Sequence, residues 1–124
     1  MIIGTAAQAA ALLAPLFASG ESEKVAVLHL GEGSRLIGMT FEGKGRVGDV
    51  ELPIRGILSS ALWLRARSIV LAHNHPSGDP APSASDEAAT RALATAAAGL
   101  DIGLHDHLIF AGGECSSFRS LGLL

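Results

Sequence analysis

Apolar residues along the chain fall into short runs whose spacing alternates between that of strands and that of helices. Lys24 to Leu30 is rich in β-branched residues, and the turn from Gly31 to Ser34 joins it to a second extended run, Arg35 to Phe41. This arrangement predicts a hairpin. Ser68 to Ala72 is wholly apolar, as expected of a central strand covered on both faces, and Asp101 to Phe110 predicts a further strand.

Three other segments place their apolar residues at helical intervals. These predicted helices begin near Thr5, Ile54 and Ser83. The first ends near Pro15 or at the Ser19-Gly20 stop, and the other two end near Arg67 and Gly99. Thr5 and Gln8 have the spacing of a capping box, and a glycine-rich loop from Glu42 to Asp49 precedes the second helix. Alternating strands and helices indicate an α/β domain of three layers, in which helices cover both faces of a mixed sheet.

Composition limits the classes of function. With 124 residues the chain fits one domain, and 48% hydrophobic residues with a mean hydropathy of +0.40 provide for a packed core. Nine Lys and Arg against twelve Asp and Glu give a formal charge of -3. Since no overall positive field would attract phosphate groups, DNA binding by this module is disfavoured.

The expected location is the cytoplasm. A single cysteine, Cys115, cannot form an internal disulfide, which favours a reducing compartment. The apolar stretch from Met1 to Ser19 has no basic residue ahead of it and contains Pro15, so it predicts neither a signal peptide nor a membrane span. We therefore expect no membrane association. The oligomeric state stays open, with a homo-oligomer among the alternatives.

Two histidines follow the apolar run that ends at Ala72. Because side chains alternate along a strand, His73 and His75 project from the same face, whereas Asn74 points the other way. After ten intervening residues, Asp86 can bring a carboxylate from the first turn of the next helix. Two imidazoles and one carboxylate leave a fourth position of a zinc ion open for water, whose pKa falls to about 7.

Each of these residues also has a structural interpretation. A histidine at a strand end is most often a polar residue with satisfied hydrogen bonds, and Ser83 with Asp86 fits the S-x-x-D capping box without any metal. Paired histidines at the end of an apolar strand need compensation for their desolvation, which capping does not supply. Taken together, the three residues favour a metal site.

The stretch from His73 to Pro80, followed by Pro82, Ser83 and Asp86, resembles the H-x-H-P-x6-S-x-x-D signature of JAB/MPN metalloproteases, and specifically their RadC branch. The likeness continues at Asp106-His107-Leu108-Ile109 and Ser117-Phe118-Arg119-Ser120. It implies a JAB/MPN (cytidine deaminase-like) fold and a zinc-dependent hydrolase that cleaves amide, peptide or isopeptide bonds. Peptides or protein conjugates would be the substrates.

The resemblance also implies roles for individual residues. His73, His75 and Asp86 would bind Zn²⁺, and Ser83 would donate a hydrogen bond to the oxyanion of a tetrahedral intermediate. The family requires a glutamate on an early strand as general base, for which Glu23 is the best match. Glu21 is the alternative, since it lies on the same face if the strand extends backwards.

The sequence departs from the RadC pattern in two respects. Gly31 stands where an acidic residue usually follows the early strand, and the helix-hairpin-helix region usually found upstream is absent. We therefore expect a single catalytic-type module over residues 1–124. Two alternatives to the hydrolase remain, a DNA repair or DNA-processing protein and a non-catalytic MPN-type scaffold. The letters His-Asn-His also occur in HNH nucleases, but that site would leave the spacing of Ser83 and Asp86 unexplained.

Other polar residues have weaker claims. Asp106 or His107 could accept a hydrogen bond from a metal-binding imidazole, although a surface or structural role is an equal alternative. Cys115 has no neighbour in sequence that would lower its pKa, so we expect an unreactive thiol. Arginines on the second helix are expected on a solvated face, and Trp63 in the core or an interface.

Overall fold

The structure is a computed structural model that describes residues 1–18, 22–44 and 52–124. In this part of the chain a five-stranded sheet has the order β2-β1-β3-β4-β5. The strands are β1 (Lys24–Leu30), β2 (Leu36–Lys44), β3 (Ser68–Asn74), β4 (Gly103–Ala111) and β5 (Glu114–Ser117). β3 and β4 run parallel, whereas the other neighbouring pairs are antiparallel. The predicted mixed sheet and the predicted hairpin of the first two strands are confirmed.

Helices cover both faces of this sheet. They are α1 (Ala6–Leu13), which continues as a 3-10 turn (Ala14–Phe17), α2 (Ile54–Trp63) and α3 (Ala84–Ala98). Leu13 and Phe17 belong to a buried cluster on one face, while Ile57 of α2 and Leu93 of α3 belong to a second cluster on the other. The three-layer α/β/α architecture predicted from the sequence is therefore confirmed.

β3 is buried on both sides because its side chains alternate between the two clusters. Val70 and Ala72 pack on the α1 face, and Ile69 and Leu71 pack on the face of α2 and α3. This explains why the strand is an uninterrupted apolar run instead of an alternating one. It also fixes the face on which any polar residue that follows the run must lie.

Several elements end at other residues than the sequence predicts. α2 ends at Trp63, before the predicted Arg67, because Arg65 adopts a positive φ of 56° that ends the helix. β2 continues to Lys44, into the segment predicted to be a loop, and the rest of that segment lies outside the described residues. β4 begins only at Gly103, after a tight turn in which Asp101 has a φ of 58°.

The start of α1 is fixed by the predicted capping box. Thr5 Oγ1 accepts a hydrogen bond from the Gln8 backbone N–H at 3.2 Å, and Gln8 Oε1 accepts one from the Thr5 N–H at 3.1 Å. Both bonds satisfy N–H groups that have no partner within the helix. Since Ala9 and Leu13 are buried one helical turn apart, the cap orients the apolar side of α1 towards the sheet.

The surface differs from one expectation. Trp63 is 88% exposed, so the prediction of a core position is wrong, and its place in an interface stays a prediction. Arg55, Arg65 and Arg67 are exposed, as expected of a solvated face. Among the residues that the structure describes, none of the helices has the length and apolar character needed to cross a lipid bilayer.

We expect Leu28→Ala to lower the free energy of unfolding by about 2–5 kcal/mol, because it leaves a cavity in the middle of β1, where Leu28 is fully buried. Urea unfolding followed by circular dichroism measures the change. Leu62→Ala is the matched control, since Leu62 is 52% exposed and should change stability by less than ~0.5 kcal/mol. Equal losses in the two variants would contradict the assignment of the core.

Candidate metal centre

The end of β3 places two imidazoles beside α3. His73 continues the row of Ile69 and Leu71, and it is paired with Val25 of β1 and Ile109 of β4. His73 is only 2% exposed, and His75, just beyond the strand, is half-buried. Asn74 points to the other face, as predicted, where its side chain binds backbone atoms of residues 22 and 24.

Asp86 meets both histidines from the first turn of α3. Its Oδ1 lies 3.4 Å from His73 Nε2, and its Oδ2 lies 3.0 Å from His75 Nε2. One ligand atom from each of the three residues can be chosen so that all three atoms lie within 4.8 Å of one another. The structure thus brings together the three residues that the sequence predicts as metal ligands, and they form a group that can hold a metal ion.

The same carboxylate also caps α3. Asp86 Oδ2 accepts a hydrogen bond from the Ser83 N–H at 2.8 Å, and Ser83 Oγ accepts one from the Asp86 N–H at 3.0 Å. Because Oγ is the acceptor in that bond, the Ser83 hydroxyl hydrogen can be donated to another oxygen. The two interpretations of Ser83 and Asp86 are therefore compatible, since capping holds the carboxylate in the orientation that faces both imidazoles.

Electrostatics favour an ionised carboxylate at this position. Burial alone would raise the pKa of Asp86, but the hydrogen bonds that its carboxylate accepts from His73 and from the Ser83 N–H, together with the charge of His73, outweigh it and bring the pKa well below its ordinary value. Metal binding requires deprotonated ligands, so Asp86 needs no proton release at neutral pH.

The donor set fits a small divalent ion of intermediate softness. Two imidazole nitrogens and one carboxylate oxygen are common ligands of Zn²⁺, and ligand distances of ~2.0 Å in a tetrahedral site imply separations of about 3.3 Å between ligand atoms. The histidine–aspartate separations are 3.4 Å to Oδ1 and 3.0 Å to Oδ2, so each imidazole lies within reach of an ion bound by the nearer carboxylate oxygen. Three protein ligands would leave one position for water or substrate.

The second ring nitrogen of each histidine has its own partner. His75 Nδ1 lies 2.9 Å from the Asp79 backbone oxygen, in the loop that leads to α3. His73 Nδ1 lies 2.7 Å from His107 Nε2, and His107 Nδ1 lies 2.7 Å from Thr90 Oγ1. Hydrogen bonds of this kind orient metal-binding imidazoles.

Of the two candidates in the middle of β4, Asp106 and His107, only His107 contacts the centre. Asp106 accepts hydrogen bonds from the His107 N–H, the Ser117 hydroxyl and the Arg119 N–H, so it joins β4 to β5 and to the segment that follows. Adjacent residues of a strand point to opposite faces, which explains the different roles of Asp106 and His107. Thr90, the other member of this group, is absent from the sequence-based predictions.

Glu23 lies immediately before β1 and is 6% exposed. Val25 of β1 pairs with His73 in the antiparallel register, so Glu23, two residues earlier, is near the end of β3 that carries the histidines. Its role as general base stays a prediction. The alternative, Glu21, lies outside the described residues.

A cavity of about 790 Å³ adjoins the centre at His75. Its walls come from α1, the 3-10 turn, the loop after β3 and the turn between β4 and β5. Phe17 and Phe110 line it as a stacked pair with ring centroids 4.9 Å apart. This volume is within the range of small-molecule and peptide-segment sites.

A family model described as "RadC-like JAB domain" matches residues 3–123. The chain belongs to the RadC-like JAB domain family. The resemblance found in the His73 to Asp86 stretch is thereby confirmed, and the α/β sheet with helices on both faces agrees with a JAB/MPN-type fold.

Curated relatives are UPF0758 proteins. The chain is 42% identical over 103 residues to one from Rhodobacter capsulatus, a match that takes in 83% of this chain and 48% of the relative. It is 38% identical over 104 residues to YfjY of Escherichia coli K12, covering 84% of this chain and 65% of the relative. A third, from Ruegeria pomeroyi, is 39% identical over 104 residues, with 84% and 46% covered. The chain therefore spans roughly half to two thirds of these relatives, whose names state no activity.

We expect His75→Ala and Asp86→Ala to weaken metal binding by more than the ~10–100-fold typical for loss of an outer hydrogen-bond partner. Elemental analysis of zinc per chain, on untagged protein purified without chelator, measures the loss. Ser83→Ala separates capping from ligation, because it removes the cap's side-chain acceptor at about 1 kcal/mol and leaves all three ligands in place. Full zinc content in Asp86→Ala would contradict the assignment of the ligands.

Cys115 should be a slow nucleophile. Cys115 lies at the surface, but partial desolvation, with a smaller contribution from the charge of Asp106, raises the pKa of its thiol to about 11. Alkylation by iodoacetamide near neutral pH should therefore run at least ~10-fold slower than for an unstructured cysteine peptide, and recover in denaturant. Mass spectrometry of the alkylated fraction over time tests this; a rate equal to that of the peptide would show that the thiol is not perturbed.

Proposed function

We propose that this protein is a zinc-dependent hydrolase that cleaves amide, peptide or isopeptide bonds in a peptide or protein-conjugate substrate. The observation that carries the proposal is the convergence of His73, His75 and Asp86 at the end of β3. Membership of the RadC-like JAB domain family supports it. A zinc ion bound there would polarise a substrate carbonyl and lower the pKa of a coordinated water to about 7.

Glu23 is proposed as the group that moves protons. The Glu23 carboxylate, which lies beside the histidine-bearing end of β3, would accept a proton from the attacking water and deliver it to the leaving nitrogen, so that the two transfers balance. Two observations support this role. Glu23 lies just before β1, whose residue Val25 pairs with His73, and the Glu23 side chain has a low exposure. Burial favours such a shuttle because a shielded carboxylate exchanges protons with the reacting groups in preference to bulk water.

Ser83 is proposed to stabilise negative charge on the carbonyl oxygen. Its Oγ is held at the start of α3 by the Asp86 N–H, and its hydroxyl hydrogen can be donated outward. The position is favourable for an anion, since the N-terminus of a helix carries a partial positive charge. Serine thus supplies a donor that is fixed before the substrate arrives.

The substrate is proposed to lie along the cavity beside His75. The cavity has an apolar wall that includes Phe17 and Phe110, and His75 is the one proposed ligand that lines it. This arrangement suits a substrate whose side chains are buried along the wall while its scissile amide lies at His75. The acidic formal charge of -3 favours such a substrate over a polyanion.

Glu23→Gln tests the proton shuttle. We expect the variant to keep its zinc and its fold but to lose at least ~100-fold in kcat/KM, because an amide cannot accept the proton from water. The substrate for this comparison is first identified by assaying the wild-type protein against panels of peptides and ubiquitin-like conjugates. Glu32→Gln is the matched control, since Glu32 is exposed at the turn between β1 and β2.

The wild-type assay also decides the class of function. Cleavage that a chelator abolishes and zinc restores would support the hydrolase. Undiminished turnover by Glu23→Gln would refute the role of Glu23 alone. Cleavage that persists in chelator would refute the metal mechanism, and salt-dependent DNA binding without cleavage would favour the DNA-processing alternative.

A further inference from the structure

A closed ring of contacts connects two of the proposed ligands through residues that bind no metal. From His73 the path runs through His107 and Thr90 to the backbone oxygen of Asp86, with successive donor–acceptor distances of 2.7, 2.7 and 2.6 Å. The carboxylate of Asp86 closes the ring at His73 Nε2, 3.4 Å away. His73, His107 and Thr90 are 2%, 0% and 1% exposed, so water does not compete for these bonds.

The direction of each hydrogen bond follows from the Thr90 end. A backbone carbonyl can only accept, so the single hydroxyl hydrogen of Thr90 is donated to the Asp86 oxygen. Towards His107 the Thr90 oxygen must therefore act as the acceptor. It follows that His107 carries a hydrogen on Nδ1, which it donates to Thr90.

The position of the hydrogen on His107 determines the position of the hydrogen on His73. His107 is 0% exposed, and the partners of its two ring nitrogens, Thr90 and His73, carry no negative charge that would compensate a buried imidazolium, so the ring is neutral, with one N–H. Since that hydrogen is on Nδ1, Nε2 of His107 is an acceptor and must receive a hydrogen from His73 Nδ1. In neutral His73 the lone pair is then on Nε2, the atom that faces Asp86.

We infer that Thr90 and His107 are positioning residues that fix His73 as the Nδ1–H tautomer and so direct its Nε2 lone pair at the metal. This inference rests on the metal site of the proposed function. His75 reaches the same tautomer by another route, because its Nδ1 faces a carbonyl, Asp79, that can only accept. Both imidazoles therefore offer Nε2.

Two packing features hold the ring of contacts in place. Asp86 and Thr90 are four residues apart on α3, so they share a face, and a threonine hydroxyl readily bonds the carbonyl four residues earlier. The His107 ring stacks on Phe118, with centroids 4.5 Å apart and planes 21° apart. That contact limits rotation of the imidazole and keeps each nitrogen opposite its partner.

Thr90→Val tests the inference with a variant of nearly the same shape. Without the hydroxyl, His107 Nδ1 loses its acceptor, and the alternative tautomer, with hydrogen on Nε2, would oppose the His73 Nδ1–H. We expect zinc affinity, measured by competition with a chromophoric chelator, to fall ~10–100-fold. Thr90→Ser keeps a hydroxyl and should restore most of the affinity. Thr95→Val makes the same change at an exposed position of α3 and should have no effect.

Imidazole ¹⁵N spectra of metal-free wild-type protein, recorded at alkaline pH where imidazoles are neutral, read the tautomers directly. We expect hydrogen on Nδ1 of both His73 and His107, and a shift of His107 towards the Nε2–H form in Thr90→Val. Hydrogen on Nε2 of either ring in the wild type would overturn the inference, as would unchanged zinc affinity in a folded Thr90→Val.

Neither readout depends on amide cleavage. If the tautomers and affinities follow the expectation but no amide substrate is cleaved under any condition, the hydrolase proposal fails and the positioning role stands. If cleavage is zinc-dependent but the spectra show the opposite tautomers, the positioning role fails alone. Should Thr90→Val not fold, the wild-type spectra decide the question.

Discussion

The alternation of side chains along β3, in a sheet that helices cover on both faces, is the constraint on which the centre depends. Each residue of this strand is assigned to one face by its position, and a shift of one residue would exchange the faces. His73 and His75 therefore face α3 together, and Asn74 anchors the opposite side to the start of β1. Parallel pairing with β4 then brings His107 alongside, because Leu71 pairs with His107.

Asp86 combines two tasks that are usually treated as alternatives. Its carboxylate completes the hydrogen bonding of the α3 N-terminus, and the same oxygens face two imidazoles. A helix cap restricts the side chain to few rotamers, so the carboxylate does not have to be ordered when a cation arrives. The structural interpretation thus supports the functional one: a residue fixed by capping is a better ligand than a mobile one.

Much of the fold could be predicted from the sequence, because the decisive signals are local. The apolar run of β3, the caps at Thr5 and Ser83 and the spacing of the histidines are visible within short windows. The end of α2 was misplaced because Arg65 adopts a conformation with positive φ that composition does not reveal. Of the two positions predicted for Trp63, its exposure excludes the core and leaves the interface as a prediction, because apolar character alone does not distinguish a core residue from an exposed one.

The part of the site that escaped prediction depends on tertiary structure. Thr90 is an ordinary helix residue until the packing of α3 on β4 places its hydroxyl against His107. The sequence did suggest His107 as a partner for a ligand, through its resemblance to the family pattern, but could not distinguish it from Asp106. Because adjacent residues of β4 point to opposite faces, Asp106 and His107 can be told apart only once it is known which face of β4 packs against α3.

The loop between His75 and Asp86 is restrained by its own prolines and by contacts with the β4–β5 hairpin. Pro76, Pro80 and Pro82 restrict its backbone, and Ser116 of β5 donates a hydrogen bond to the Pro80 oxygen at 2.6 Å. At the next turn Gly112 has a φ of 57°, and a Cβ there would lie 3.0 Å from the Gly78 oxygen. The small β4–β5 hairpin thus supports a loop that has a proposed metal ligand at each end. A free loop would lose conformational entropy when it binds an ion. Here the loop has already lost that entropy during folding, so the centre is preorganised.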